Sequence, residues 1–247
     1  MIVRLTGYNR AIQTEGANSM KIIECQNLTK EYIAGENVIK AVDKVTLEFE
    51  QGEFCAITGP SGSGKSTLLH ILSSLENPTS GRVLYGGKNL SAYSDNQLSV
   101  LRRRRFGFVF QAYNLVQELT GLENILLPVM LDHKKADETY LDHLIDMLGI
   151  RDRLNHLPSA LSDGQQQRTA IARALANRPS ILFADEPTGN LDGKSGREVM
   201  SLLKYVSNEL GVTLILVTHD LGVAEQADRV LTLEDGKIIR DTKNGVM

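Results

Sequence analysis

Short, near-continuous apolar runs alternate with helix-period stretches along most of this chain, and that rhythm sets the fold class. Residues 21–26, 45–50 and Phe54–Thr58 read as strands parted by Gly-containing turns such as Gln51-Gly52. Residues 82–85 and Phe106–Phe110 read as further short strands. From Leu122 to Ile150 the period changes: Leu141, Leu144, Ile145 and Leu148 share one helical face, and Gly149 ends it. Residues 181–184, Thr213–Val217 and 230–233 are again apolar strands, the last of them before an Asp235-Gly236 turn. Between the first two, Val199, Leu202, Leu203, Val206 and Leu210 line a helix closed by Gly211. Strands that are apolar throughout need cover on both faces, which predicts an α/β fold around a largely parallel sheet. The mainly helical stretch at about 112–177 interrupts that sheet and reads as an inserted α-helical subdomain.

Composition narrows the function classes. Lys and Arg total 27 against 30 Asp and Glu, so no overall charge favours nucleic acid or an anionic membrane surface. The basic run Arg102–Arg105 reads as a solvated helix face or end. Cys25 and Cys55 sit in strand-like contexts outside any C-x-x-C pair, against a metal site or disulfide framework. No run approaches the roughly 18 apolar residues of a membrane span, and no secretory leader is evident. Residues 1–19 are polar and patternless; they are expected to be a loose tail or to lie ahead of a true start at Met20, leaving 20–247 as the domain.

The chemistry begins at Gly59-Pro60-Ser61-Gly62-Ser63-Gly64-Lys65-Ser66-Thr67, a G-x-x-x-x-G-K-[ST] spacing between a strand and a helix-compatible run. Glycines let successive backbone N–H groups turn inward onto phosphate oxygens, and the helix N-terminus adds its positive end. Lys65 can reach the β- and γ-phosphates of a nucleoside triphosphate, and the Ser66 hydroxyl can sit on Mg²⁺. Farther on, the strand at 181–184 ends in Asp185-Glu186. Asp185 is placed to orient Mg²⁺, and Glu186 to act as general base for an attacking water. In Leu161-Ser162-Asp163-Gly164-Gln165, Ser162 and Gln165 form a capping box for a helix expected at 170–177, which by itself needs no function.

Those three segments in that order resemble the ATPase subunits of ABC transporters, whose signature is usually L-S-G-G-Q, and the resemblance runs from about Lys21 to the end. It implies a P-loop NTPase fold with an antiparallel β subdomain beside the parallel sheet. It implies that Tyr32 stacks on adenine, that Gln111 senses Mg²⁺ and water, that His219 is the switch histidine, and that Asp192 communicates across a dimer. Two copies would clamp two ATP molecules, Ser162, Gly164 and Gln165 of one completing the site around Lys65 of the other. Asp163 replaces the usual Gly: facing the phosphate it would repel it, while pointing outward it would mildly stabilise the helix.

The segments Phe106-Gly-Phe-Val-Phe-Gln111-Ala-Tyr-Asn114 and Glu186-Pro-Thr-Gly-Asn-Leu-Asp192 resemble one branch of the family. It includes macrolide exporters, lipoprotein-release ATPases, cell-division FtsE proteins and antimicrobial-peptide export systems. The expectation is a motor on the cytoplasmic face of a membrane, driving a separate integral permease, with no nucleic-acid partner. The alternatives are an FtsE-like cell-division regulator, a soluble ABC ATPase on DNA or ribosomes, disfavoured by the lack of sustained heptads and by the single cassette, and a P-loop kinase, which leaves Ser162–Gln165 and His219 unexplained.

Overall fold

The computed structural model describes residues 20–35 and 37–244, so the tail expected at 1–19 lies outside the described residues. The chain opens with a long hairpin, β1 (Lys21–Ala34) and β2 (Asn37–Glu50), followed by β3 (Phe54–Thr58) and α1 (Lys65–Leu72). Then come β4 (Ser80–Tyr85), β5 (Lys88–Asn89), α2 (Asp95–Arg105) and β6 (Phe106–Phe110). Helices α3 (Gly121–Leu131), α4 (Glu138–Leu148) and α5 (Asp163–Leu175) precede β7 (Ile181–Asp185) and α6 (Gly193–Leu210). The chain finishes with β8 (Thr213–Val217), α7 (Leu221–Ala224), β9 (Arg229–Glu234) and β10 (Lys237–Lys243).

Two sheets result. One is four-stranded and antiparallel in the order β2-β1-β4-β5; the other is six-stranded in the order β10-β9-β3-β8-β7-β6. In the second, β9 through β6 run parallel and only β10 is antiparallel, on the edge. The apolar runs divide between two cores by the period of two. Phe54, Ala56, Leu182, Ala184, Leu214 and Leu216 point into a core shared with α3, α4, α5 and α6. Their neighbours Cys55, Ile57, Ile181, Phe183, Ile215 and Val217 point the other way, against α1 and the antiparallel sheet. Both faces of the central strands are thus covered, which is why they carry no polar alternation.

Several expectations were exceeded. β1 and β2 run well past the 21–26 and 45–50 anticipated, because their distal halves pair only with each other, Tyr32 opposite Ile39 and Ile33 opposite Val38. The first residues of β2 are solvent-exposed, so no apolar pattern marks them. β10 is likewise mostly exposed, and α2 buries no residue fully, touching the core only through the partly buried Leu98 and Leu101, so the apolar signal of each is weak. α5 starts at Asp163 rather than near 170, capped as the Ser162–Gln165 box requires. It also lies directly on the sheet: a Cβ on Gly107 of β6 would come 2.5 Å from the Ala174 carbonyl.

The basic run at the end of α2 is not simply solvated. Arg103 and Arg104 donate from Nε to Asp132 at 3.0 and 2.7 Å, and Lys134 Nζ joins at 2.8 Å. The Asp132 side chain is wholly buried at the C-cap of α3, so this cluster clamps α2 onto α3. Arg102 donates to the Ser74 carbonyl at 3.0 Å, beyond the end of α1.

Candidate active site

The parallel order places four strand ends side by side: β3 runs into residues 59–64, β8 into Thr218-His219, β7 into Asp185-Glu186, and β6 into Gln111. Ligands collect at the carboxyl ends of such strands. The loop after β3 is fixed by glycine. Gly59 has φ 143° and Gly64 φ 100°, and a Cβ would come 2.0 Å from the Leu233 carbonyl at the first and 1.8 Å from the Ala41 carbonyl at the second. Gly64 caps α1 without a side-chain hydrogen bond, so the first turn of that helix keeps its N–H groups for an anion. Lys65 is buried, and its Nζ donates to the Gly59 and Pro60 carbonyls at 3.0 and 2.7 Å, lying back along the loop. The Ser63 hydroxyl is buried without a hydrogen-bond partner among the described residues.

Ser66 donates from Oγ to Asp185 Oδ1 at 2.9 Å, bringing together two of the three residues expected around magnesium; the third, Gln111, is hydrogen-bonded to Asn190 instead. His70 Nε2 stands 3.6 Å from Asp185 Oδ2, and hydrogen bonding to that carboxylate holds the imidazole pKa above its usual value. Glu186, at φ 45°, turns off the end of β7 and donates its N–H to the Val217 carbonyl at 3.0 Å. Its Oε2 lies 3.2 Å from His219 Nδ1, so the expected base and switch histidine meet. Gln111 and Asn190 exchange two hydrogen bonds at 3.0 Å each, tying the end of β6 to the Gly189–Asp192 loop.

The oxygen chemistry fits Mg²⁺. A hydroxyl and one carboxylate are a partial set, and Mg²⁺ is commonly bound by one or two carboxylates plus substrate phosphates and water. No cluster of three or more His, Cys, Asp or Glu suited to a metal occurs among the described residues, so nothing competes as an all-protein cage.

Asp192 caps α6, accepting from the backbone N–H of Lys194 and Ser195 and from the Ser195 hydroxyl; these bonds lower its pKa. Ser162 and Gln165 form their reciprocal cap. Gly164 sits beside the start of α6, where a Cβ would come 4.0 Å from that of Ser195. The signature turn shares no hydrogen bond or ion pair with residues 59–67 among the described residues. Asp163 is exposed in the first turn of α5. Burial and the nearby Asp163 charge push the pKa of Tyr113 up. Tyr32 is half-exposed on β1, its hydroxyl 2.7 and 2.8 Å from the two Glu76 carboxylate oxygens.

Two supporting residues escaped sequence reasoning. Gln167, fully buried on α5, donates to the carbonyls of Pro187 and Phe110, joining the ends of β7 and β6. Arg173, two turns farther along α5, donates to the carbonyls of Tyr113 and Asn114, just past Gln111. The only signal for Gln167 is its place in the run Gln165-Gln166-Gln167, and Arg173 has none.

Known proteins resemble this chain along most of its length. The family model described as ABC transporter matches residues 42–189. An ABC transporter ATP-binding protein of Methanocaldococcus jannaschii is 50% identical over 222 residues, covering 88% of this chain and 98% of that one. The macrolide export ATP-binding/permease protein MacB of Vibrio parahaemolyticus is 45% identical over 226 residues, which cover 90% of this chain but 34% of that protein. Among solved structures, the ATP-binding cassette MJ0796, in a dimeric post-hydrolysis state bound to ADP and Pi, superposes with a TM-score of 0.83 at 42% identity, covering 92% of this chain and all of that one. The chain belongs to the ABC transporter family, as an ATP-binding cassette with ATPase activity.

Proposed function

We propose that this ATPase works as a pair of copies closing around two ATP molecules, and that the pair drives a membrane permease. The observation that carries the catalytic assignment is the convergence of Lys65, Ser66–Asp185 and Glu186–His219 at neighbouring strand ends. Residues 59–67 cradle the phosphates through backbone N–H groups, and Lys65 swings from its carbonyl partners to the β- and γ-phosphates. Ser66 and Asp185 would hold Mg²⁺, which would supply charge neutralisation at the phosphates. Glu186 orients a water in line with the γ-phosphorus and accepts its proton, while His219 fixes the carboxylate and contacts the γ-phosphate. Gln111, held by Asn190, places its amide beside that water. Tyr32 offers its ring to adenine.

The signature turn supports pairing. Ser162, Gly164 and Gln165 present a capped helix N-terminus set apart from the chain's own phosphate loop, so a second copy would deliver them to it. Asp192 borders the same region. The dimeric cassette MJ0796 supports this reading by analogy.

The permease assignment rests on MacB, whose name joins ATP-binding and permease functions in a chain of which this one matches about a third. No helix among the described residues is long and apolar enough to cross a membrane; on the proposed reading the permease is a separate polypeptide on which this subunit docks. Exposed Met130 and Leu131 at the end of α3 suit such a contact. Transport of the efflux or lipoprotein- and peptide-release type follows from the branch.

Glu186→Gln tests the core of the proposal. It should leave ATP affinity nearly intact, reduce turnover by about 10²–10⁴-fold, and accumulate an ATP-bound dimer in gel filtration. Full turnover would remove Glu186 from the base role. Retention in the membrane fraction only on co-expression of a permease supports transport, whereas salt-sensitive binding to nucleic acid would favour the soluble class.

A further inference from the structure

Tyr32 is not a free side chain at the end of a hairpin. Its hydroxyl donates to the Glu76 carboxylate, 2.7 and 2.8 Å from the two oxygens. Lys30 Nζ holds the same carboxylate at 2.9 Å and stands 5.2 Å from the centroid of the Tyr32 ring. Burial works against the charge on Glu76, but Lys30 and Tyr32 outweigh it and lower its pKa.

Glu76 is itself anchored to the helix that begins at the phosphate loop. Its N–H and that of Leu75 both donate to the His70 carbonyl of α1, at 3.1 and 2.8 Å. The segment that follows is stitched to β1: Lys30 Nζ donates to the Asn77 carbonyl at 2.9 Å, and the Glu31 N–H to the Thr79 hydroxyl at 3.0 Å. The Thr79 N–H donates in turn to the Thr29 carbonyl at 2.9 Å. A continuous chain of bonds therefore connects the phosphate-binding helix to the aromatic ring.

We infer that Glu76, held by Lys30, is a positioning residue for Tyr32, fixing its ring at a set distance from the phosphate loop so that a purine base meets an immobilised platform. The inference rests on the reading of Tyr32 as the base-stacking residue and adds what makes that stack effective. Immobilising a half-exposed side chain costs affinity when it happens on binding, and a ring already fixed avoids that cost.

The test measures kcat and KM for ATP with the full chain, together with inhibition by inorganic tripolyphosphate, which carries phosphates without a base. Tyr32→Ala first asks whether the ring matters: it should raise KM for ATP about tenfold, the weight of one base–aromatic stack. An unchanged KM there would overturn the platform reading itself. Glu76→Ala should raise KM for ATP about 5-fold, the weight of ordering one side chain, with kcat and tripolyphosphate inhibition unmoved. Tyr32→Phe, which keeps the ring and loses the bond, should raise KM equally, and the double variant should be no worse than either single one. Glu76→Asp should restore part of the loss.

A normal KM in Glu76→Ala alongside a raised one in Tyr32→Ala would overturn the positioning role and leave the stack standing. So would additive effects in the double variant, or an equal loss of tripolyphosphate inhibition, because either would mean Glu76 acts on the fold at large.

Discussion

Lys65 is held by carbonyls and by no carboxylate among the described residues, which suits the phosphate contact proposed for it. A buried ammonium bonded to neutral acceptors keeps its full charge for a phosphate, whereas one paired with an acid would first have to be parted from it. Lys65→Ala should therefore weaken ATP binding at least about tenfold, read by isothermal titration; unchanged affinity would count against the phosphate-loop assignment. Residues whose partners lie close in the chain were legible beforehand, as the Ser162–Gln165 cap and the 59–67 loop illustrate. Gln167, Glu76 and Arg173 were not, because their partners at Pro187, Tyr32 and Tyr113 stand 20, 44 and 60 residues away. No local spacing encodes such bonds. Tyr32, Gln111 and His219 came only from resemblance, and of these the structure brings His219 to Glu186.

Elements meet at two places where a single change has a forecastable effect. Gly64 stands between α1 and the Ala41 carbonyl with φ 100°, so Gly64→Ala adds both a clash and a left-handed strain. It should cost about 1–3 kcal/mol or more, seen as a lower melting temperature together with lost nucleotide binding. The second place is Asp132, where α2 is clamped to α3. Its side chain is wholly buried while Arg104 and Lys134 are about half-exposed, so Asp132→Asn should cost about 2 kcal/mol, below the range for a fully buried pair. Burial opposes the charge on Asp132, but Lys134, Arg104 and Arg103 outweigh it and depress the pKa well below the carboxylate range. A depressed folded pKa gives stability that is complete above the unfolded value of about 3.9 and is lost as pH falls through the folded one. The gap in melting temperature between wild type and Asp132→Asn should thus hold from neutral pH to about 5 and shrink below about 4. The fully buried strands were readable from their apolar runs, but β10, mostly exposed, and α2, which offers the core only Leu98 and Leu101 and is held otherwise by its arginines, were not.

For the whole molecule, nucleotide acts as a ligand of the folded state alone. ATP with Mg²⁺ at a hundred times its dissociation constant should add about 2.7 kcal/mol to stability, visible as a raised melting temperature. In Glu186→Gln that shift should also depend on protein concentration, because closure around ATP joins two copies; a shift independent of concentration would argue for nucleotide bound to single chains. The fold class was evident from the alternation of strands and helices, whereas the strand order, with β8 seated between β3 and β7, follows from packing between distant segments.

Helix α5 has Ser162 at its start, Gln167 midway on the carbonyls of Phe110 and Pro187, and Arg173 farther along on those of Tyr113 and Asn114. With both grips engaged, the stretch around Gln111 travels with the helix as one crank. Displacing that helix on pairing with a second copy would therefore displace the glutamine too, as a mechanical consequence of the two grips.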